Sequence, residues 1–216
     1  MTITLYNING SPPCNLVRTL AKHLGIELKL KNLDAAKKEH LSDEYLKINP
    51  FHKVPAIDDD GFIVYESNAI TYYLLRKYAP ESELYPACIK TRTRIDQILS
   101  AVVTTMHNAM VDAILPMLRR KTKPPTEEIA ALEDNVARGL EHLIGDDKFA
   151  AGDTFTIADM ALAGRIPAVL ENIFINPSKF PKLASYYDRV KREQPYFEEI
   201  YKPAIDKYKG QLADLK

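Results

Sequence analysis

The period of the hydrophobic residues changes near residue 80 of this 216-residue chain, and this change constrains the fold more than any other feature. Before that point, stretches with the two-residue period of strands alternate with stretches of helical period, and beyond it only the helical period is found. A chain of this length holds one or two domains. The pattern predicts a mixed α/β domain over residues 1–80, a linker over 81–90 and an all-helical domain over 91–216.

The first 80 residues predict the element order β-α-β-α-β-β-α. Ile3 and Leu5 alternate with polar neighbours in a strand, a helical pattern then runs to Gly25, and IELKLKNL alternates again. Two strands joined by a helix are expected to pair in parallel with a right-handed crossover. The Asp-Gly pair in DDDG predicts a hairpin turn, and SNAITYYLLRKYAP predicts a helix that Ser67 caps and Pro80 ends.

The remainder of the chain predicts helices alone. Apolar residues from Ile95 to Met110 recur at i, i+3 and i+4 in one long helix, which Pro116 is expected to kink or end near residues 113–115. Further helices are predicted in TEEIAALEDNVARGLEHLIG, TIADMALAGRIPAVLE, FPKLASYYDRVKREQP and YFEEIYKPAIDKYKG. Together they predict a helical bundle.

Charge, histidine spacing and cysteine content disfavour several classes of protein. Lys plus Arg equals Asp plus Glu at 29 each, which argues against binding to nucleic acid because phosphate contacts need an excess of basic residues. The five histidines lack a metal-ligand spacing, and only two cysteines, Cys14 and Cys88, are present, as expected in a reducing compartment. No secretory signal and no apolar run of about 18 residues is apparent. We therefore expect a cytoplasmic protein without a metal or a membrane partner.

The segment SPPC at residues 11–14 lies where the first strand gives way to a helix. With a cysteine in place of Ser11 it would have the dithiol spacing of a thioredoxin-like redox motif, and the serine removes that exchange. From the residues alone, Ser11 either caps the helix or donates a hydrogen bond to the thiol of another molecule. Cys14 is either a small buried residue or a reactive thiol.

Four segments in register along the whole chain resemble the cytosolic glutathione transferases: SPPC at 11–14, NPFHKVP at 49–55, YES at 65–67 and AAGDTFTIAD at 150–159. SPPC and the HL pair at 40–41 are most similar to the arthropod delta and epsilon classes. The resemblance implies a thioredoxin-like domain followed by a helical bundle, and a homodimer formed through the helices at 67–78 and 91–115. It also implies conjugation of the thiolate of reduced glutathione, the co-substrate, to small hydrophobic electrophiles in detoxification, with peroxidase or dehydrohalogenase side activity left open.

The resemblance assigns the catalytic role to Ser11, whose hydroxyl would stabilise the glutathione thiolate. Because an ordinary thiol is mostly protonated at pH 7, lowering its pKa by two units stabilises the anion by about 2.7 kcal/mol. Other classes use a tyrosine on the first strand for this purpose, so Tyr6 is a rival, although packing on a strand face suits it better. Cys14 is a second rival, since cysteine-type members form mixed disulfides.

The resemblance also implies a set of glutathione-binding residues. The glycyl carboxylate would lie near His40, His52 and Lys53, and the cysteinyl unit would pair with the backbone of Val54 before a cis proline, Pro55. Glu66, Ser67 and Asn68 would bind the γ-glutamyl end at a helix N-terminus, where free N–H groups favour an anion. Many delta and epsilon members have arginine where this chain has Asn68, so we expect weaker glutathione binding. Some relatives have an acid near the middle of the long helix that reaches the partner subunit's glutathione; Val102 stands near that place here, so Asp96 is only a substitute candidate.

The electrophile is expected to bind apolar residues that face the serine. The candidates are Pro13, Leu33, His107, Met110 and Ile114. The alternative for the methionines is plain core packing, since Met106, Met110 and Met117 recur at helical spacing. The C-terminal segment is expected to cover this pocket, with Tyr201 or Tyr208 reaching it.

Two functions of other classes remain as alternatives to the transferase. The same fold serves as a noncatalytic carrier of hydrophobic ligands or as an assembly domain, and a thiol-disulfide reductase would need a reactive Cys14. The set of Ser11, His52, Glu66 and Ser67 favours the enzyme, because a scaffold has no need of it. The T-x-x-D pair Thr156 and Asp159 is expected to be a structural helix cap.

Overall fold

The chain folds into two compact units. A computed structural model describes residues 2–215. The first unit runs to Ser82 and also contains Tyr196–Tyr201, and the second comprises Glu83–Pro195 and the chain from Lys202 onward. The prediction of a helical domain over 91–216 did not anticipate that Tyr196–Tyr201 belong to the first unit.

A four-stranded mixed sheet forms the first unit. Its strands are β1 (Ile3–Asn7), β2 (Leu28–Asn32), β3 (Ala56–Asp59) and β4 (Phe62–Tyr65). The order is β2-β1-β3-β4; β1 and β2 are parallel, and the other two pairs are antiparallel. The helices are α1 (Pro12–His23), α2 (Asp43–Leu46) and α3 (Ser67–Tyr78), with a 3-10 turn over Glu39–Leu41. The predicted element order and the mixed α/β class are confirmed.

Helix α1 begins immediately after the turn that follows β1. Pro12 and Pro13 stand at its first positions, where a missing N–H removes no intrahelical hydrogen bond. Its inner face is apolar and buried, with Leu16 and Leu20 in the core. Gly25 follows the helix end with φ 68°, the left-handed conformation that glycine adopts without strain. Local sequence thus fixes both ends of the helix that follows Ser11.

The Asp-Gly hairpin is present as predicted. Asp60 and Gly61 have φ angles of 55° and 88° between β3 and β4. Positive φ at both central positions defines the two-residue turn that matches the twist of paired strands. The Asp58 side chain accepts a hydrogen bond from the Gly61 N–H at 2.8 Å and closes the turn.

The second unit is helical, as predicted. Its helices are α4 (Ile89–Ala101), α5 (His107–Arg120), α6 (Thr126–Leu132), α7 (Arg138–Ile144), α8 (Ile157–Ala163), α9 (Pro167–Leu170) and α10 (Pro181–Arg192), and α11 (Phe197–Ala213) extends into it from the first unit. A 3-10 turn covers Pro177–Lys179.

Two π-helical turns join neighbouring helices of the second unit. Val102–Met106 lies between α4 and α5, and Glu133–Ala137 lies between α6 and α7. Pro116 was predicted to kink the helix or to end it near residues 113–115; the predicted end is wrong, because α5 continues past Pro116 to Arg120. Pro116 is exposed, so water can bond to the carbonyl that it leaves without a donor, and the fully buried Met117 anchors the next turn.

The stretch Ile89–Arg119 is helical throughout, and its most apolar 18-residue window has a mean hydropathy of 1.4 with 28% of the window buried. It meets the length and composition of a membrane span, a test that the core helix of a soluble protein also passes. The sequence expectation of no such run counted apolar residues only, whereas this window includes uncharged polar ones. Length and composition alone are weak support for a span, and the expected lack of a membrane partner stays a prediction.

The segment Tyr196–Tyr201 is held against α1 by side-chain hydrogen bonds. The Thr19 hydroxyl donates to the Tyr201 hydroxyl at 3.1 Å. The Tyr196 hydroxyl lies 2.7 Å from Nδ1 of His23. Both tyrosines are thus tied to the helix that begins beside Ser11.

Candidate functional site

A tight turn presents Ser11 at the carboxyl end of β1. The Ser11 N–H donates to the Ile8 carbonyl at 3.0 Å, and Gly10 adopts φ 87° inside the turn. Ser11 itself is extended, and its side chain makes no capping hydrogen bond to α1. Only its carbonyl takes part in the helix, by accepting from the Asn15 N–H at 2.9 Å. The hydroxyl is therefore not used as a helix cap, which was one of the two alternatives for Ser11.

Cys14 lies one turn into α1 and is fully buried. Burial raises the pKa of the Cys14 thiol, and hydrogen bonds from the Ser11 hydroxyl and the Ile8 backbone offset this increase only in part. The thiolate is the reactive form of cysteine, so both burial and the raised pKa oppose attack by Cys14. These observations favour the small buried residue over the reactive thiol.

Tyr6, the rival tyrosine, is packed in a side-chain cluster. It is 8% exposed and clusters with Tyr45 and Ala56, and its ring centroid lies 5.6 Å from that of Tyr45. The Lys31 ammonium lies over the Tyr6 ring at 5.2 Å. Burial of the ring supports a packing role, as the sequence favoured.

The peptide bond between Val54 and Pro55 is cis, as the resemblance implied. The Val54 N–H and C=O form no hydrogen bond with a residue that the structure describes. They lie just before β3, in the position where an extended peptide could pair as an added strand. The free backbone groups at Val54 are thus suited to bind a short peptide.

Two side chains hold the loop that precedes this cis bond. The Tyr45 hydroxyl and the Asn49 side-chain amide both donate to the Lys53 carbonyl, each at 2.7 Å. Asn49 Oδ1 in turn accepts from the Phe51 N–H at 3.0 Å. The Lys53 side chain is exposed. Neither Tyr45 nor Asn49 was singled out from the sequence, yet both fix the backbone next to Val54.

Two of the predicted carboxylate ligands, His40 and His52, are neighbours. His52 Nδ1 lies 3.3 Å from the His40 carbonyl, which can only accept, so Nδ1 carries a proton. His52 has φ 57°, a left-handed conformation uncommon for a histidine. His40 Nδ1 is buried and has no hydrogen-bond partner among the described residues. A buried unpaired nitrogen is uncommon in proteins and is consistent with a bound polar group at this point.

Glu66, Ser67 and Asn68 form the N-terminus of α3. The helix starts at Ser67, so the prediction that Ser67 is the N-cap is wrong; Glu66 precedes the helix with φ 70° and ψ 115°. A non-glycine residue at positive φ costs free energy and is often found at binding sites. The Ser67 hydroxyl and the Asn68 side chain make no hydrogen bond with a described residue. The first N–H groups of α3 and both side chains are therefore available to an anion.

The five residues predicted for the electrophile divide between the two units. In the first unit, Pro13 is half-buried and Leu33 packs against the Tyr6 cluster. In the second, His107 and Ile114 are half-buried, whereas Met110 is only 8% exposed. This burial favours plain core packing for Met110.

Three more side chains of the second unit have hydrogen-bond partners within it. His107 Nδ1 lies 3.4 Å from the buried Arg165 guanidinium. Asp96 accepts from the Tyr85 hydroxyl at 2.9 Å. The Tyr208 hydroxyl is bonded inside the same unit, and the hydroxyl of Tyr201 is bonded to α1, so neither tyrosine presents an unengaged hydroxyl.

The capping box predicted at residues 156–159 is present. The Thr156 hydroxyl accepts from the Ala158 N–H, and Asp159 accepts from the Thr156 N–H at 2.7 Å. Asp159 is fully buried, and burial raises the pKa of its carboxyl. It is remote in sequence from the SPPC turn and serves the start of α8, as predicted.

Comparison with known proteins identifies the family. Residues 1–76 match the family model described as the glutathione S-transferase N-terminal domain, and residues 105–194 match that of the C-terminal domain. A delta-class glutathione transferase of Nilaparvata lugens has 30% sequence identity and a TM-score of 0.87, over 99% of this chain and 100% of that chain. This chain belongs to the glutathione S-transferase family.

Two further transferase structures are similar along nearly the whole chain. An epsilon-class glutathione S-transferase of the housefly Musca domestica has 30% identity and a TM-score of 0.87, over 99% of this chain and 98% of that one. A glutathione transferase homologue of Drosophila mojavensis, solved with bound glutathione, has 27% identity and a TM-score of 0.86, over 99% and 97%. This glutathione S-transferase is an enzyme with a thioredoxin-like first domain, and its family uses glutathione as co-substrate.

Several polar residues that support the transferase's candidate site were not predicted from the sequence. Tyr45 and Asn49 hold the cis-proline loop, and Asn7, Asn9 and Asn32 join the ends of β1 and β2 to the Ser11 turn. One signal was available in the sequence, because Asn7 follows the first predicted strand, Asn32 lies near the end of the second, and parallel strands end at the same edge of a sheet. Their hydrogen bonding could not be read from the sequence.

Proposed function

We propose that the Ser11 hydroxyl stabilises the thiolate of bound glutathione, which then attacks a small hydrophobic electrophile. The observation that carries this proposal is that the hydroxyl does not cap α1 although Ser11 stands at the cap position. It acts as a donor and keeps its own proton. The N-terminus of the 12-residue helix α1 adds a favourable partial positive charge at the same place.

The proposed reaction is a nucleophilic substitution at carbon. The glutathione thiol loses its proton to solvent, the sulfur forms a bond to the electrophilic carbon, and a leaving group such as chloride departs with the electron pair of its bond. A hydrogen bond to a charged group contributes about 1.5–3 kcal/mol, which corresponds to roughly one to two pKa units on the thiol. That is enough to make the thiolate a large fraction at neutral pH.

Glutathione is proposed to bind along the edge formed by three segments of the first unit. The cysteinyl unit pairs with the free backbone groups of Val54 before Pro55. The glycyl carboxylate meets His40, His52 and Lys53, where the orphaned His40 nitrogen supports the presence of a polar ligand. The electrophile is proposed to contact Pro13 and Leu33, while the roles of His107, Met110 and Ile114 stay predictions.

The γ-glutamyl end is proposed to bind at the N-terminus of α3. Its carboxylate is an anion of the kind that free helix N–H groups and the Ser67 hydroxyl favour. Glu66 neutralises the α-amino group. Asn68 supplies a hydrogen bond without charge, so binding at this end is expected to be weaker than with arginine.

Assembly, location and role follow the family. Members are generally dimeric, and we propose a homodimer that acts in the cytoplasm in the detoxification of small electrophiles, without a metal ion. No observation favours the carrier as a separate function. The buried Cys14 argues against the thiol-disulfide reductase.

The proposal is tested by comparing Ser11→Ala with Tyr6→Phe in the conjugation of glutathione to a chloronitrobenzene. We expect kcat/KM to fall ten- to a thousandfold in Ser11→Ala, a loss of roughly 1.4–4 kcal/mol of transition-state stabilisation, and to be nearly unchanged in Tyr6→Phe. Since the chain has no tryptophan, glutathione affinity is measured by calorimetry rather than by intrinsic tryptophan fluorescence. Equal rates in wild type and Ser11→Ala would reject the role of the serine, and glutathione binding without turnover in wild type would favour the carrier.

A further inference from the structure

A buried asparagine lies beneath the turn that presents Ser11. Asn7 is the last residue of β1 and is 0% exposed. It stands in register with Asn32, the last residue of the parallel strand β2. Its backbone carbonyl accepts from the Leu33 N–H at 2.8 Å, so strands β1 and β2 stay paired at their carboxyl ends. Ser11 lies four residues after Asn7, in the turn that leaves this edge of the sheet.

The Asn7 side chain connects three segments of the first unit. Its Nδ2 donates to Asn32 Oδ1 at 2.6 Å and to Asn9 Oδ1 at 3.0 Å. Asn9 lies between Ile8 and Gly10, inside the turn that the bond from the Ser11 N–H closes. One buried amide group therefore ties this turn to the edge of the sheet.

Burial of Asn7 carries a free-energy cost that its hydrogen bonds do not fully offset. Asn7 Oδ1 is buried and has no hydrogen-bond partner among the described residues. An unsatisfied buried polar atom destabilises a fold, and an apolar residue of the same size would avoid that cost. A sequence selected for stability alone would not place an asparagine here. The two donor bonds of Asn7 are what an apolar residue could not supply.

The middle of the turn needs such an anchor, because the other hydrogen bonds of the turn join Ser11 to Ile8, and Ser11 and Ile8 to the Cys14 thiol, and none of them holds Asn9. Ile8 is half-buried, Asn9 and Gly10 are exposed, and the Ser11 side chain does not bond to the helix backbone. Small displacements of a group that acts on a reacting atom lower rates steeply, by as much as a hundredfold for about 1 Å. Precise placement of the Ser11 hydroxyl therefore depends on the geometry of residues 8–10.

We propose that Asn7, acting through Asn9, is a positioning residue that holds the Ser11 turn in the geometry at which its hydroxyl meets the glutathione sulfur. The inference rests on the proposed function of Ser11, and it adds the residues that hold Ser11 in place. Asn32 fixes Asn7 from the side of β2 and contributes to the same arrangement. Asn7, Asn9 and Asn32 act through the turn and are not proposed to contact the glutathione sulfur.

The test measures the titration of enzyme-bound glutathione by the ultraviolet absorbance of the thiolate, together with the pH profile of kcat/KM. Asn7→Leu removes both donor bonds at similar volume, and Asn9→Ala removes the link to the turn at an exposed position. We expect both variants to raise the apparent pKa of the bound thiol by about half a unit to one unit and to lower kcat/KM about three- to tenfold at neutral pH, with KM for glutathione little changed. Combined with Ser11→Ala, neither should raise the thiol pKa further.

A matched control separates positioning from general stability. Gln194 is a buried amide of the second unit that donates to the Val190 carbonyl and, like Asn7, has a buried oxygen without a partner. Gln194→Met should alter the melting temperature without moving the thiol titration. Should Asn7→Leu fail to fold, Asn9→Ala alone decides the question.

The two possible failures give different results. If Ser11→Ala raises the thiol pKa but Asn7→Leu and Asn9→Ala leave it at the wild-type value, the asparagines have no positioning role and the role of Ser11 stands. If Ser11→Ala itself leaves the thiol pKa unchanged, both the proposed function of Ser11 and this inference are overturned. A shift in Gln194→Met as large as in Asn9→Ala would also overturn the inference.

Discussion

Replacing Asp159 by alanine should destabilise the second unit more than most substitutions in this chain. Four donors converge on its carboxylate: the Ala150 N–H at 2.9 Å, the Tyr186 hydroxyl at 2.6 Å, and the Thr156 N–H and hydroxyl at 2.7 and 3.0 Å. All of these partners are buried, so water cannot readily replace the lost acceptor. Alanine would leave two N–H groups and two hydroxyl protons without an acceptor, while the Thr156 oxygen would still accept from the Ala158 N–H.

The size of the loss follows from those four groups. Each unsatisfied buried group costs about 1–3 kcal/mol, and loss of a helix cap costs about 1 kcal/mol. Burial of the Asp159 carboxylate is itself unfavourable, as its raised pKa indicates, so removing the carboxylate offsets part of this loss in stability. A net loss of about 3–5 kcal/mol is therefore expected, in the range for breaking a buried charged network. For a chain of this size this corresponds to a decrease in Tm of roughly 6–20 °C.

The assay is urea and thermal unfolding of wild type and variants, followed by circular dichroism at one protein concentration. Tyr186→Phe is the graded control, since it removes one donor and leaves three, and should cost about 1–2 kcal/mol. Asp159→Asn keeps the volume but directs an N–H₂ group at one of the two backbone donors, so it should be clearly destabilised as well. A decrease in Tm under about 2 °C for Asp159→Ala would refute this account of the network.

Two further predictions concern charge in the first unit. The Asp59 carboxyl, with a side chain 2% exposed, accepts from Lys77 and from the Tyr73 hydroxyl, and the hydrogen bond from Lys77 holds its pKa below the usual range. Because a lowered pKa stabilises the fold above the unfolded value near 3.9 and loses that effect as the pH falls, the stability difference between wild type and Asp59→Asn should be largest at neutral pH and shrink below about pH 4. Urea titrations at three pH values check this, and a constant difference would contradict it. Asn68→Arg should tighten glutathione binding by adding a cation at the N-terminus of α3, and calorimetry showing an equal Kd for both proteins would contradict that expectation.

Hydrophobic period and turn residues made most of the first unit predictable. The β-α-β start and the Asp60–Gly61 hairpin of the first unit depend on residues within a few positions of one another, as does the start of α8 in the second unit, and all three are present. The cis bond at Pro55 was predictable only through the family resemblance, because most bonds that precede proline are trans.

The errors and omissions concern effects that a local pattern does not contain. Pro116 was expected to kink or end the helix, and the end is wrong because burial of Met117 keeps the next turn helical. A π-helical turn such as Val102–Met106 inserts one residue per turn without changing which residues are apolar. The bonds of Asn7 to Asn32 join residues 25 positions apart, and only the pairing of β1 with β2 brings them together.

The thiol of Cys14 and the thiol of bound glutathione are expected to differ in protonation at the SPPC turn. Burial raises the pKa of Cys14, so this residue stays a neutral thiol at the pH at which the proposed glutathione thiolate forms. A second thiolate within reach of the Ser11 hydroxyl would compete for its proton and would repel the first, which would raise the pKa of both sulfurs. Groups whose environments push their pKa values apart take different roles in a site. Under the proposed function, a neutral Cys14 competes less with the glutathione sulfur for the Ser11 hydroxyl than a thiolate at position 14 would, although Ser11 also hydrogen-bonds to Cys14. This is a reason for the sequence to combine a serine at position 11 with a deeply buried cysteine at position 14.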